Sequence, residues 1–372
     1  MLKAISDVSP DAWNALVPDG AAPVLSHAWL HALESSGSAS LKTGWEPHHF
    51  AAYDGEKLVG AAPAWRKHHS MGEYVYDFGW AQAASQFRVD YYPKLLIGVP
   101  LSPITAPRFL GPPDVRKKLA EAAVESARKQ GLSSVHVIFP PEDETQELEA
   151  AGLGFFARKT MQYHWKNPGY RTYDDYLARF DSKRRNQLKR ERGAAATQGI
   201  TIRTIRAPEL SAAHAKLAYR FYESTVSKNG WGQVQLNAKF FDKVFATMPK
   251  QIELVVAERE SNVIAGAFNL VGAKRLYGRY WGCFEEHPFL HFNVCLYHSV
   301  DECIQRGFEA FEPGAGGEHK IPRGFEPTQI NSLHLAFEPR FDRALRDFCR
   351  REAAQVDRVV DNSTEIAGMK PV

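Results

Sequence analysis

FAAYDGEKLVGAA (Phe50–Ala62) and VAERESNVIAGAF (Val256–Phe268) overlay without a gap, placing Gly60 on Gly266, Leu58 on Ile264 and Ala61 on Ala267. Each is a pair of apolar runs around a polar turn. In the first, Asp54-Gly55 signals a hairpin, because glycine accepts the positive φ of a tight turn. Two such hairpins predict an internal duplication.

Each hairpin leads into an aromatic run read as a strand, YVYDFGW at 74–80 and RLYGRYWG at 275–282. The first half then reads as strand 94–105, helix 115–130 closed by Gly131, strand 133–139, short helix 145–151 and strand 155–166. The second reads as strand 252–258 into its hairpin, then a helix from Leu290 to Arg306 closed by Gly307 and a strand at 308–314. Strands alternating with helices after a hairpin predict an α/β fold with a mixed sheet in each of two tandem domains. The break falls at Lys166-Asn-Pro-Gly-Tyr170, giving 1–168 and 169–372. Two helices precede the first hairpin, near 11–16 and 26–34, with Ser26 as N-cap and Trp13, Leu16, Trp29, Leu30 and Leu33 as core.

A chain of 372 residues suits two domains, and 44% hydrophobic with 24% charged residues excludes a disordered chain. The cysteines at 283, 295, 303 and 349 form no CxxC, which argues for reduced thiols rather than a disulfide framework or zinc knuckle. No apolar run is long enough to span a membrane and no leader pattern opens the chain, so a cytoplasmic protein is expected. The oligomeric state is not legible.

A net charge of +3 implies no nucleic acid by itself, but one local cluster does. After Tyr173, Tyr176, Leu177 and Phe180 at helical spacing come Lys183, Arg184, Arg185, Lys189, Arg190 and Arg192. Arg185, Lys189 and Arg192 share a helical face that suits phosphates, the alternative being a solvated charged helix. Helices at 208–228 and around 239–244 flank Gly230-Trp231-Gly232, read as a loop presenting an aromatic ring or capping the core.

The segment 281–327 concentrates the chemistry: Trp281, Glu285, His291, Asn293 and Tyr297, then Gly314, Gly316 and Gly317 before Glu318-His319-Lys320, Arg323 and Phe325. The glycines let a backbone approach a ligand closely. Tyr280-Trp-Gly, His291-Phe-Asn-Val-Cys-Leu-Tyr297, Phe311-Glu-Pro-Gly-Ala-Gly-Gly-Glu-His-Lys320 and Arg323-Gly-Phe-Glu-Pro327 resemble a bacterial family of peptidoglycan biosynthesis or recognition proteins, the Fem-like branch of the GNAT superfamily. The resemblance covers nearly the whole chain. It implies two GNAT-like domains, the second carrying the active site, and transfer of an acyl or aminoacyl group to an amine on a small molecule, peptide or cell-wall precursor. It also implies acyl-CoA or aminoacyl-tRNA as co-substrate, with no permanently bound cofactor. Ordinary GNAT enzymes hold pyrophosphate on a Q/R-x-x-G-x-G/A turn; here 286–293 is bulky, which weakens the case for acyl-CoA in that pose. With tRNA as donor, the basic helix gains a partner.

Amide-forming chemistry needs a proton acceptor and donors for an oxyanion. Glu318, His319, His291 and Tyr297 are the catalytic candidates. Lys320, Arg323 and the glycine loop are candidates for the oxyanion, with Trp281, Glu285, Asn293 and Phe325 lining the substrate site. A zinc site from His287, His291 and His319 or Glu318 is disfavoured by Pro288 and the lack of an HExxH motif. The rival reading is a binding protein of the same fold for a phosphate-bearing ligand such as tRNA, without catalysis.

Overall fold

The computed structural model describes residues 1–228, 234–362 and 369; Gly230-Trp231-Gly232 lies outside the described residues. The chain divides into two compact units, 1–161 with 329–357, and 162–328 with 358–372. The division at 161/162 precedes the boundary read at 168/169, and 329–357 belongs with the first unit. The strands Phe156–Lys166 and Glu326–Ala336 each contribute to both units.

In the first unit the sheet order includes Trp45–Pro47, Ala64–Lys67, Lys94–Ile97, Ser134–Ile138 and 329–336. These pairs are antiparallel except Lys94–Ile97 with Ser134–Ile138, which run parallel and are joined through the helix Pro113–Lys129. That helix buries Leu119, Ala120, Ala123 and Ala127, one apolar stripe at helical spacing. The hairpin Phe50–Asp54 with Lys57–Ala62 forms as read, but as a two-stranded sheet of its own. A side chain at Gly60 would strike Val115 and Leu119, so glycine there lets the hairpin lie on the helix.

The run 74–80 is not a strand. Tyr74 and Tyr76 take positive φ, and the chain enters the helix Phe78–Ala84. The reason is a buried ionic hub. The Lys94 ammonium donates to Glu73 at 2.8 Å and to Asp77, and the Tyr91 hydroxyl donates to Asp77 at 2.5 Å, all beneath the surface. A buried lysine needs such satisfied partners, and gathering Glu73 and Asp77 on one ammonium requires a turn instead of an extended strand. The likeness of the two halves therefore stops here, since 275–283 is a strand.

Below this hub His136 and His334 face each other on paired strands, Nδ1 to Nδ1 at 2.7 Å, with Ser134 and Ser332 on their outer nitrogens. Burial first, then Lys94 for His136 and His136 itself for His334, pushes both imidazoles down, His136 to about 3. Both rings are thus neutral in the fold. Above about pH 6.5 they are neutral in either state and add no pH dependence; below it the unfolded chain takes up protons that the fold refuses. Stability is expected to fall by roughly 2 kcal/mol per ring between pH 6.5 and 5. Urea midpoints at pH 7 and 5 check this, and equal midpoints would rule out a neutral pair.

The second unit orders its strands 162–166, Ala310–Glu312, Arg275–Cys283, Asn262–Val271, Ile252–Arg259 and Thr201–Ile205. Only Ala310–Glu312 and Arg275–Cys283 run parallel. The connection between them is the helical stretch 290–305, α-helical at both ends and π-helical over Asn293–Tyr297. The hairpin Ile252–Arg259 with Asn262–Val271 forms as read, and a side chain at Gly266 would collide with Phe221 of the helix Ala212–Lys228. Gly266 thus plays against that helix the part that Gly60 plays against Pro113–Lys129. One core gathers Trp165, Tyr176, Phe180, Tyr297, Phe311 and Phe325.

The strand Thr201–Ile205 and the helix Pro339–Asp361 had not been read from the sequence. All four cysteines are free, Cys303 and Cys349 buried and Cys283 and Cys295 half-buried. Among the described residues no helix is long and apolar enough to cross a membrane.

Candidate active site

The parallel strands of the second unit pair over three residues only, from Arg275 with Ala310 to Tyr277 with Glu312. Beyond Glu312 the shorter strand ends, while the longer continues to Cys283 against Asn262–Val271. A cavity of about 180 Å3 fills the gap, at the carboxyl ends of the parallel pair, where open α/β sheets take their ligands. Four consecutive strand residues line it, Gly278, Arg279, Tyr280 and Trp281. A regular strand turns alternate residues away; here the pairing shifts between Phe268 and Asn269, and the bulge re-aims the strand.

The far wall is the start of the helical stretch, with His291 and Cys295, and the roof is the glycine loop with His319 and Lys320. Gly314, Gly316 and Gly317 have φ of +89°, +76° and +92°, which other residues rarely adopt. The buried Lys320 ammonium holds the loop by donating to the carbonyls of Gly314 (2.8 Å) and Gly316 (2.6 Å). Burial lowers its pKa to about 8. No carboxylate lines this cavity among the described residues.

His291 is half-buried, its ring edge-on to Trp281 at 5.1 Å and near His319 at 5.8 Å. Burial, then the neighbouring His319, Lys320 and Arg323, pushes its imidazole down to about 4, so it is neutral at physiological pH. His319 is shifted down by the same kinds of cause but is exposed. Trp281 and His291 also line a second, wider cavity of about 430 Å3 with Thr225, Lys228, Glu286 and His287. These two side chains are the wall the cavities share.

The structure gathers Trp281, His291, Gly316, Gly317, His319 and Lys320 at the first cavity, with Gly314 bonded to Lys320 behind it. Others stand elsewhere. Glu318 is exposed at the loop's outer side and Phe325 is core. Glu285 is exposed, paired with Arg259 and His287, both at 2.7 Å.

Asn293 and Tyr297 were expected to face the pocket one turn apart; the π-helical turn directs both to Glu191 instead. The Asn293 amide donates to the Glu191 carbonyl at 2.8 Å, and the Tyr297 hydroxyl donates to its carboxylate. Arg323 completes this buried knot, 2.6 Å from the same carboxylate and 2.9 Å from the Tyr297 oxygen, its guanidinium lying 3.5 Å over the Phe292 ring. Burial pushes the Glu191 carboxyl upward, but the bonds from Tyr297, Gln187 and Arg323 outweigh it and hold it below the usual range. Burial and Glu191 raise the Tyr297 phenol.

On the basic helix Ser182–Thr197, Arg184 donates to Gln187 and Arg185 to the Phe180 carbonyl, while Arg192 pairs with Asp301 at 2.5 Å and covers the Tyr173 ring. Lys183, Lys189 and Arg190 are exposed and form no ion pair among the described residues. His287, between Gln198 and Glu285, is no neighbour of a metal-like cluster; among the described residues no three His, Cys, Asp or Glu side chains are arranged to hold an ion.

Sequence reading missed Asn269, Arg279 and Cys295 as cavity residues. A signal existed for the first: Asn269 is the one polar side chain in the run IAGAFNLV.

With this geometry the chain belongs to the FemAB-like family, described as peptidoglycan biosynthesis/recognition, whose pattern matches residues 4–371. Among solved structures it is similar to FemX, at a TM-score of 0.52 and 11% identity, covering 91% of this chain and 98% of that one. A lysylphosphatidylglycerol synthetase C-terminal domain from Agrobacterium fabrum, itself described as putative, gives 0.52 and 12%, over 92% and 100%. The structure of L-PGS from Bacillus licheniformis gives 0.51 and 11%, over 82% and 90%. At these identities the likeness is one of fold. No curated protein matches the chain in sequence.

Proposed function

We propose that this chain transfers an acyl or aminoacyl group to an amine, with the reaction seated in the second unit. The observation that carries the reading is the position of His291. It is a neutral imidazole on the wall between a small cavity free of carboxylates and a wider one bordered by Glu286. A carbonyl suits the first, where donors and cations surround it; an amine suits the second. An imidazole between them takes the proton that the attacking amine must lose. His319, on the same cavity but exposed, is the second acceptor; Glu318 serves from outside. Tyr297, Arg323 and Asn293 act through Glu191 as positioning residues for the helical stretch.

Family membership supports aminoacyl transfer onto a cell-wall precursor, and the exposed Lys183, Lys189 and Arg190 support tRNA as donor. Acyl-CoA is the competing donor. Three neutralised phosphates make binding fall about twentyfold to fortyfold from 50 to 200 mM salt. Filter binding of tRNA across that range is expected to show this slope, reduced in a Lys183→Ala, Lys189→Ala, Arg190→Ala variant. Absent or salt-insensitive binding would remove tRNA as donor. Binding of donor without any transfer to an amine would favour a non-catalytic binding protein.

A further inference from the structure

Asn269 sits in the middle of the strand Asn262–Val271, 1% exposed, in a run otherwise apolar. It lines the small cavity, and its side-chain nitrogen is buried without a hydrogen-bond partner. Leaving a buried donor unpaired costs about 1–3 kcal/mol, which a purely structural position avoids by carrying an apolar residue. The pairing shift falls at Asn269, opposite Gly278, where a side chain would press on Pro313 and Phe311. Of the other polar groups that line the cavity, Lys320 is spent on two loop carbonyls and His291 is neutral; Arg279, Tyr280 and His319 stand there with Asn269. At about 180 Å3 the cavity is smaller than the roughly 300 Å3 at which pockets begin to hold whole drug-sized ligands. It takes the reacting end of a donor.

We infer that Asn269 is the donor for the carbonyl oxygen of the transferred acyl group, and that this cavity is an acyl-carbonyl site. The inference rests on the transferase reading. In the step, the amine nitrogen bonds to the carbonyl carbon and the π pair moves to oxygen, where the Asn269 N–H meets the growing negative charge. Collapse of the adduct breaks the carbon–oxygen bond of an aminoacyl ester or the carbon–sulfur bond of a thioester. The amine's proton passes to His291 and on to the departing oxygen or sulfur. A neutral amide suits this work because it binds the carbonyl weakly at the start and more strongly as charge develops.

The test compares wild type with Asn269→Ala and the near-isosteric Asn269→Asp. Calorimetry measures binding of two probes, an aminoacyl-adenosine amide and acetyl-CoA, which separates the two donor sources. Wild type is expected to bind one of them. Asn269→Ala should bind it about tenfold more weakly and slow transfer about 100-fold, the scale for loss of one oxyanion donor. Asn269→Asp should be worse, because its carboxylate repels the oxyanion. Melting temperature should hold in Asn269→Ala, since no bond is lost; a scaffold residue would lower it instead. Wild-type affinity and rate in both variants overturn the inference and leave the transferase reading. Affinity that depends on Asn269 with no transfer to any amine overturns the transferase reading and with it the role of Asn269 in the step, leaving a site that only binds a carbonyl. A wild type that binds neither probe overturns both.

Discussion

His291→Ala is expected to lower kcat for acyl transfer by about 100-fold to 10,000-fold, the range for loss of a proton acceptor, with little change in KM. The pH profile separates this from a packing effect. Burial and the cations around it hold His291 near 4, so the base is free throughout neutral pH, and the acidic limb of kcat should appear well below 6.5. The alkaline limb should come near 8, where Lys320 loses its positive charge and its bonds to the Gly314 and Gly316 carbonyls weaken. Lys320→Met should lower activity and abolish that limb. Steady-state rates from pH 4.5 to 9.5 are the measurement; an acidic limb at 6.5 with full activity in His291→Ala would sink the assignment.

Arg323→Ala is expected to cost about 3–5 kcal/mol, because it strands the Glu191 carboxylate in a buried knot that now has only Tyr297 and Gln187. A unit of this size should then melt roughly 10 °C lower. The sign with pH follows from the carboxyl's depressed value. The stabilisation is complete above the ordinary carboxylate pKa of about 4.3 and is lost as pH falls through the lower folded value. Wild type and Arg323→Ala should therefore converge in stability in strong acid. Parallel melting curves from pH 7 to 3 would show that the ion pair contributes nothing.

Local elements were legible where one physical rule dominated. The hairpins at Asp54-Gly55 and in 256–268 followed from alternation and turn chemistry, and Pro113–Lys129 from its apolar stripe. What failed depended on partners distant in sequence. Nothing near 74–80 announces that Asp77 will be held by Lys94 and Tyr91, so an aromatic run looked like a strand. The glycine loop and His291 could be picked out by composition, whereas the second partners of Tyr297 and Arg323 could not: Glu191 lies on another helix and reads as one more charge in a basic run. Asn269 was hidden by the opposite effect, a short apolar strand drawing the eye past its one amide.

The π-helical turn at Asn293–Tyr297 has one further consequence. Such a turn carries one residue more than a regular helix, and each helical residue rotates the chain by about 100°. Deleting a single position there would swing His291 away from the cleft while every functional side chain stayed in the sequence. The site is thus inherited partly as a length. A relative that keeps the histidine but lacks the inserted residue shares the motif without sharing the machinery, and a comparison that tallies identities but ignores one-residue gaps would miss the difference.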